Sequence, residues 1–397
     1  MEDNPMKYYA GLDVSNAETS ICIVNENNNI VKEAKVLSDP ESIHRYLKKT
    51  NFEFERIGLE AGALSHWLVT GLRKEKWNVI CIDSRFMAAI LSVNVNKTDR
   101  NDARAIANAI RCNNYKEVHI KSIESIKINC LLTARKALVH QKLQLSNTIR
   151  GILKTFGIKL PTGMISIREA IKKAISFDEF SPEEHKISSH VDWSVIETLI
   201  ICCEKIREQL DVLELKLEFL AKNDRIVKRF MTHPGVGPVT AISYKAEIDD
   251  PKRFKKSRSV GAYLGMTPRQ FSSGETIKQG RISKNGSSEV RSLLHEAGVV
   301  MISRTKAQSK LKSWGLKKKR KLKMQKAGMA VGRKIAINLH RMWLEDKDFD
   351  PQMDVDKFCP EEAKIETEKQ KKTEEKQVKA MKGKKVDVAR KKKKEVA

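Results

Sequence analysis

The hydrophobic pattern changes character twice along the chain. Between Tyr8 and Asp83 apolar residues come in short β-rich runs, "YYAGLDVS", "TSICIVN" and "NIVKEAKVL". These are followed by the helical stretch "PESIHRYLKKT", then "FERIGLE" and, after a second helical stretch, "WNVICID". Strand-length runs bounded by turn residues and then alternating with helices predict an α/β or α+β domain with a mixed sheet over residues 1–120. Its first three strands would form a meander, with "ENNNI" as the second turn.

From about residue 121 the period becomes helical. Ile128, Leu131, Leu138, Leu145, Ile149, Ile152 and Phe156 share one seam, on which Arg135 and Lys142 also fall. A second seam, Leu199, Cys203, Ile206, Leu210, Leu213, Leu217 and Leu220, alternates steps of four and three. This heptad pattern predicts a long coiled-coil arm over residues 121–225, packed within the chain or between two copies. A mostly helical domain over 226–345 follows. In its opening stretch "THPGVGPVTAISYKAEI", Gly235 and Gly237 precede a helix start. Such a turn can offer backbone N–H groups to a phosphate in the manner of a helix-hairpin-helix, or can simply join two helices. The segment "GAYLGMTPRQFSSGETIKQGRISKNGSS" reads as a basic loop carrying Arg269, Lys278, Arg281 and Lys284. Residues 346–397 form a basic tail with no aromatic residue after Phe358, expected to be disordered or only loosely helical.

Composition narrows the partner. In 397 residues, 40% of them hydrophobic, Lys plus Arg number 76 against 50 Asp plus Glu, a net charge of +26. That content supports folded cores, and the surplus points to a polyanion. Residues Arg304 to Arg341 hold fourteen Lys or Arg and no acid, which favours phosphate contact over a merely solvated face. The start "MEDNPMKYY" lacks the features of a signal peptide, and no apolar run approaches the roughly 18 residues of a membrane span. Nucleic acid is therefore the expected partner, no membrane is expected, and the expected location is cytoplasmic. Seven scattered cysteines without a C-x-x-C pair suggest a reducing compartment, without disulfides or zinc.

Against this basic background four acids stand out. Asp13 ends the run "YYAGLD" and Glu60 ends "RIGLE", each followed by a small, turn-prone segment. Asp99 and Asp102 lie three residues apart in "VNKTDRNDARAIA", among Lys97, Arg100 and Arg104. Each has an ordinary explanation: an Asx-turn, an exposed strand end, or a first helical turn capped by Thr98. If the two strands are neighbours and the helix crosses nearby, four carboxylates converge. Hard oxygen ligands of that number suit Mg²⁺ or Mn²⁺ acting on a phosphodiester, with the surrounding cations meeting phosphates. Strand Asp, strand Glu, then helical D-x-x-D is the layout of an RNase H-like metal nuclease domain.

On "YAGLDVS", "GLEAG" and "NKTDRNDA", and again on "PGVGPVTA", "GAYLGMTPRQFSSGE" and "GRISKNG", the sequence resembles the DEDD transposases of the IS-one-ten type and the related Piv-type DNA invertases. The resemblance implies a RuvC-like domain joined by a coiled coil to a second domain that bears a serine nucleophile. It also implies recombination of DNA guided by a structured RNA. By motif, the metal-binding and catalytic acids become Asp13, Glu60, Asp99 and Asp102, and the nucleophile becomes Ser273, immediately before Gly274. Without the resemblance, Ser272, Ser273, Ser283, Ser287 and Ser288 all read as turn serines, and no G-x-S-x-G elbow is present. Cutting and joining four strands suggests a homodimer or homotetramer, in which the acids of one subunit could meet Ser273 of another. The alternatives are a hydrolytic structure-selective nuclease and a nucleic-acid-binding scaffold whose acids only cap.

Overall fold

The computed structural model describes residues 6–92, 98–160, 166–178, 191–273 and 276–352. Contacts divide the chain after Ser122 into two units.

The first unit is a three-layer α/β/α sandwich around a five-stranded mixed sheet. Its strands are β1 (Tyr8–Val14), β2 (Glu18–Asn25), β3 (Ile30–Leu37), β4 (Phe54–Glu60) and β5 (Val79–Ile82), in the spatial order β3-β2-β1-β4-β5. The first three form the expected antiparallel meander, and β4 pairs parallel with both β1 and β5. Alternation along the strands sorts side chains onto two faces. Ala10, Leu12, Ile57 and Leu59 face helices α1 (Pro40–Lys49) and α2 (Ser65–Lys74), whose Ile43, Leu47, Leu68 and Leu72 complete that core. The other face carries α3 (Ser84–Leu91) and α4 (Asp99–Arg111), with Ile106 and Ile110 packed on Ile80 and Ile82.

One contact sets the height of α4. A Cβ added at Gly11 would lie 2.1 Å from the Ala103 carbonyl oxygen and 2.3 Å from the Ala107 nitrogen, so the helix rests directly on β1 backbone. Gly58, level with Gly11 on the neighbouring strand, leaves room for the Ile110 side chain, whose Cγ2 would lie 2.6 Å from an added Cβ.

The second unit begins with α5 (Ile123–Thr155), α6 (Ile167–Asp178) and α7 (Trp193–Asn223). Helices α5 and α7 run antiparallel: Ile149 and Leu153 cluster with Ile196, Ile200 and Cys203, while Leu132 sits with Leu217 and Ala221 at the other end. The heptad seam thus packs inside the chain, with Cys203, Leu210 and Leu217 buried and Arg135 bonded to Glu214 at 2.8 Å. On α7 a second stripe, Val212, Leu215 and Phe219, remains exposed. The remaining elements are α8 (Arg225–Met231), α9 (Pro238–Ile248), α10 (Arg258–Tyr263), β6 (Pro268–Ser273), β7 (Thr276–Ile282), α11 (Ser288–Ser303), α12 (Lys310–Lys321) and α13 (Met324–Glu345). Leu132, Leu217 and Ala221 share one core with Phe230, Tyr244, Leu294 and Ile335, so the arm and the helical domain, divided at residue 225 in the sequence reading, merge into one body. Among the described residues, no helix is long and apolar enough to cross a membrane. Most of the basic tail lies outside the described residues.

Candidate active site

The glycine contact beneath α4 also builds an acidic cleft. In the parallel register of β1 and β4, Gly11 pairs with Gly58 and Leu12 with Leu59. Asp13 and Glu60 are next along these two strands, and the two-residue period puts them on the face that carries α4. Adjacent strands lie ~4.8 Å apart, so the two carboxylates start from neighbouring backbone positions. Asp102 descends from the first turn of α4 and is only 8% exposed. Together Asp13, Glu60 and Asp102 line one cleft of about 600 Å³.

The fourth acid stands apart. Asp99 is exposed, and its Oδ2 accepts a bond from Lys35 Nζ at 2.9 Å, which holds the carboxyl below its usual range. The Thr98 hydroxyl accepts from the Asn101 amide, so the helix cap is real alongside any chemistry. Neighbouring cations are engaged with protein as well: Arg104 forms a bidentate pair with Glu33, and Arg100 lies 3.3 Å from the same carboxylate. The sequence reading sent both to phosphates; in the folded domain they tie α4 to β3. Lys97 lies outside the described residues.

Sequence reasoning did not find the rest of the cleft wall. Ser15, Asn16, Ser65 and Ser92 line it, and the N-terminus of α2, which no side chain caps, opens onto it through Gly62 to Leu64. The only signal was the small-residue segment after Glu60. The donors fit a hard divalent cation in kind, being carboxylate oxygens with hydroxyls beside them. Among the described residues, however, no three His, Cys, Asp or Glu are drawn together as a ready-made metal group. Shared binding therefore requires the carboxylates to close onto an ion.

In the second unit the stretch expected to be a loop is a β-ribbon. Strands β6 and β7 pair antiparallel, with Phe271 opposite Lys278 and Ser273 opposite Thr276. The feet of the ribbon are fixed by backbone crossings. Gly265 has φ +67° and sits where a Cβ would lie 2.3 Å from Asn285 backbone, and Gly286, at φ +68°, meets the Tyr263 carbonyl in the same way. Arg291 of α11 clamps both feet, donating to the Leu264 and Asn285 carbonyls at 2.9 and 2.8 Å. Ser273 is exposed at the end of β6. The Ser272 hydroxyl accepts from Gln270 at 2.9 Å, whereas among the described residues no hydrogen bond engages the Ser273 hydroxyl. Arg269, Lys278 and Arg281 are exposed on the ribbon, while Lys284, at φ 59°, sits at its foot.

The two glycines expected to receive phosphate divide. A Cβ at Gly235 (φ +86°) would lie 2.5 Å from the Ala297 carbonyl, so this glycine serves close packing on α11. Gly237 is exposed and heads α9 without a side-chain cap. The long cationic run is also mixed in role: Lys312 and Lys334 are buried, whereas Lys317, Lys319, Arg320 and Lys321 are exposed along α12.

One unit sets acids at adjacent strand ends of a mixed sheet and the other is mostly helical with exposed cations, features that suit an enzyme acting on a polyanion. The particular family follows from comparison. A DEDD transposase model matches residues 10–158, and the model described as transposase IS116/IS110/IS902 family matches residues 227–313. The chain belongs to this IS110/IS116/IS902 family of transposases. It is 30% identical over 57% of its length to the transposase for insertion sequence element IS1111A of Coxiella burnetii, spanning 60% of that protein. It is 27% identical to the transposase for element IS1328 of Yersinia enterocolitica, over 65% of this chain and 74% of that one. A probable family 20 transposase of Pseudomonas aeruginosa is 26% identical over 62% of this chain and 71% of its own. Among solved structures, Thermus thermophilus RuvC aligns with 28% of this chain and 99% of its own at 12% identity and a TM-score of 0.21.

Proposed function

We propose that the chain cuts and rejoins DNA at the ends of an insertion sequence through a transient phosphoserine link at Ser273. The observation that carries this reading is the convergence of Asp13, Glu60 and Asp102 on one cleft, in a family of transposases. These three carboxylates, joined by Asp99 when it exchanges Lys35 for the ion, would hold Mg²⁺ or Mn²⁺. A bound divalent ion supplies Lewis acidity to a phosphoryl oxygen.

The chain's own residues do the rest. The Ser273 hydroxyl loses its proton to solvent or a nearby base as Oγ bonds to phosphorus, and the bond from phosphorus to one deoxyribose oxygen breaks, that oxygen taking up a proton. Arg269, Lys278, Arg281 and Lys284 offset charge that develops on the phosphorane. Rejoining runs the same exchange backwards with a new hydroxyl. One phosphodiester is traded for another, so no nucleotide cofactor is needed. A structured guide RNA as second polyanion is supported by the family resemblance and by the +26 charge. The exposed stripe of Val212, Leu215 and Phe219 on α7 supports a dimer or tetramer.

The test is a trapped adduct. Full-length protein, co-expressed with transcripts of the DNA that flanks its gene, is incubated with element-end DNA and Mg²⁺, then denatured. A covalent protein–DNA species is expected from the unaltered chain and from Ser272→Ala, and none from Ser273→Ala or Asp102→Asn. Strand breakage without any adduct would instead establish the hydrolytic nuclease.

A further inference from the structure

The ribbon carries a second feature that the serine chemistry leaves unexplained. Phe271 is 61% exposed. Alternation along β6 puts Arg269, Phe271 and Ser273 on one face. The cross-strand register adds Lys278, directly opposite Phe271, to the same face. The ring leans over bare backbone, since a Cβ at Gly280 would come within 3.2 Å of Phe271 Cε2 and 3.7 Å of Arg269 Cβ. One side of the ring is thereby seated and the other is turned outward. The described residues of the ribbon include no Asp or Glu.

We infer that Phe271 is a stacking platform that holds one unpaired DNA base beside Ser273 during strand cleavage. This inference rests on the reading of Ser273 as the nucleophile. An aromatic face framed by cations is the chemistry that binds single-stranded nucleic acid, where bases stack and phosphates meet Lys and Arg. Residues two apart on a strand are ~7 Å apart, close to the spacing of a base from its neighbouring phosphate along an extended strand. A base on the ring therefore brings an adjacent phosphate within reach of Oγ. The pinned feet of the ribbon make this spacing a fixed property of the protein.

The experiment measures anisotropy of a labelled twenty-nucleotide oligo(dT) and of a blunt duplex of equal length, titrated with full-length protein. Every measurement is repeated in a Ser273→Ala background, where no covalent link can form, so the stacking result stands whatever the serine does. Phe271→Ala is expected to weaken oligo(dT) binding by about tenfold, the scale of one lost base stack. Duplex affinity should change by less than about twofold, since phosphate contacts dominate it. Phe271→Trp should restore oligo(dT) binding, and an unchanged thermal midpoint for both variants shows that the ribbon stays folded. An oligo(dT) carrying 5-iodo-deoxyuridine should photo-crosslink to the peptide that contains Phe271. Equal affinity for oligo(dT) after Phe271→Ala, or an equal loss on duplex, would overturn the inference.

Discussion

At the scale of single residues, the site depends on places where side chains are missing as much as on the acids. Gly11 lets α4 settle on β1, and that contact lowers Asp102 toward Asp13. A methyl group at position 11 would collide with helix backbone, which cannot rotate away as a side chain could. Gly11→Ala is therefore expected to cost about 2–3 kcal/mol in urea unfolding, the range of an overpacked core, and to abolish strand cleavage. A loss below about 0.5 kcal/mol, the scale of a neutral surface change, would show that α4 is not seated there. The acids themselves were legible in the chain: Asp13 and Glu60 each closed an apolar run. What spacing could not reveal was the split between Asp99 and Asp102. Both lie in the first turn, yet the partner that draws Asp99 outward, Lys35, is 64 residues away on β3. The proposal of Ser273 rests on motif alone, because one exposed strand-end hydroxyl has no periodic signature.

At the scale of elements, the meander, the helix–strand alternation and the long helices of the second unit all appeared as periodic patterns and are present in the fold. The ribbon was missed because Phe271, Ile277 and Ile282 are almost its only apolar residues; its backbone ladder and pinned feet supply what burial does not. A different junction, between α8, α9 and α13, carries a pH dependence. His233 is fully buried, its Nδ1–H donates to the Pro234 carbonyl, and Nε2 accepts from Asn338. Burial pushes its pKa down from 6.5 to about 4. The unfolded chain takes up a proton near pH 6.5 that the folded chain refuses until about pH 4, so this stability is intact above pH 6.5 and declines as pH falls between those values. Burial lowers His340 in the same direction. Thermal unfolding at pH 5 should show a loss on the order of 2 kcal/mol relative to pH 7.5, reduced in His233→Gln. A pH slope that is the same in the variant would contradict this assignment.

At the scale of the whole molecule, charge and chemistry are divided between two units. The first carries an acidic cleft in a sheet, and the second carries the cations of α12 and the serine ribbon. That division was visible as a change of hydrophobic period, although the sequence separated the arm from the helical domain that shares its core. The central claim is that Asp13, Glu60 and Asp102 act together on one divalent ion. Calorimetric titration of Mn²⁺ into the full-length protein tests it most directly. Saturable binding is expected, weakened in Asp13→Asn, Glu60→Gln and Asp102→Asn by at least the ~10-fold that even an outer-shell partner costs when lost, and weakened less in Asp99→Asn, whose carboxyl must first leave Lys35. Mn²⁺ affinity unchanged by all three cleft substitutions would contradict it.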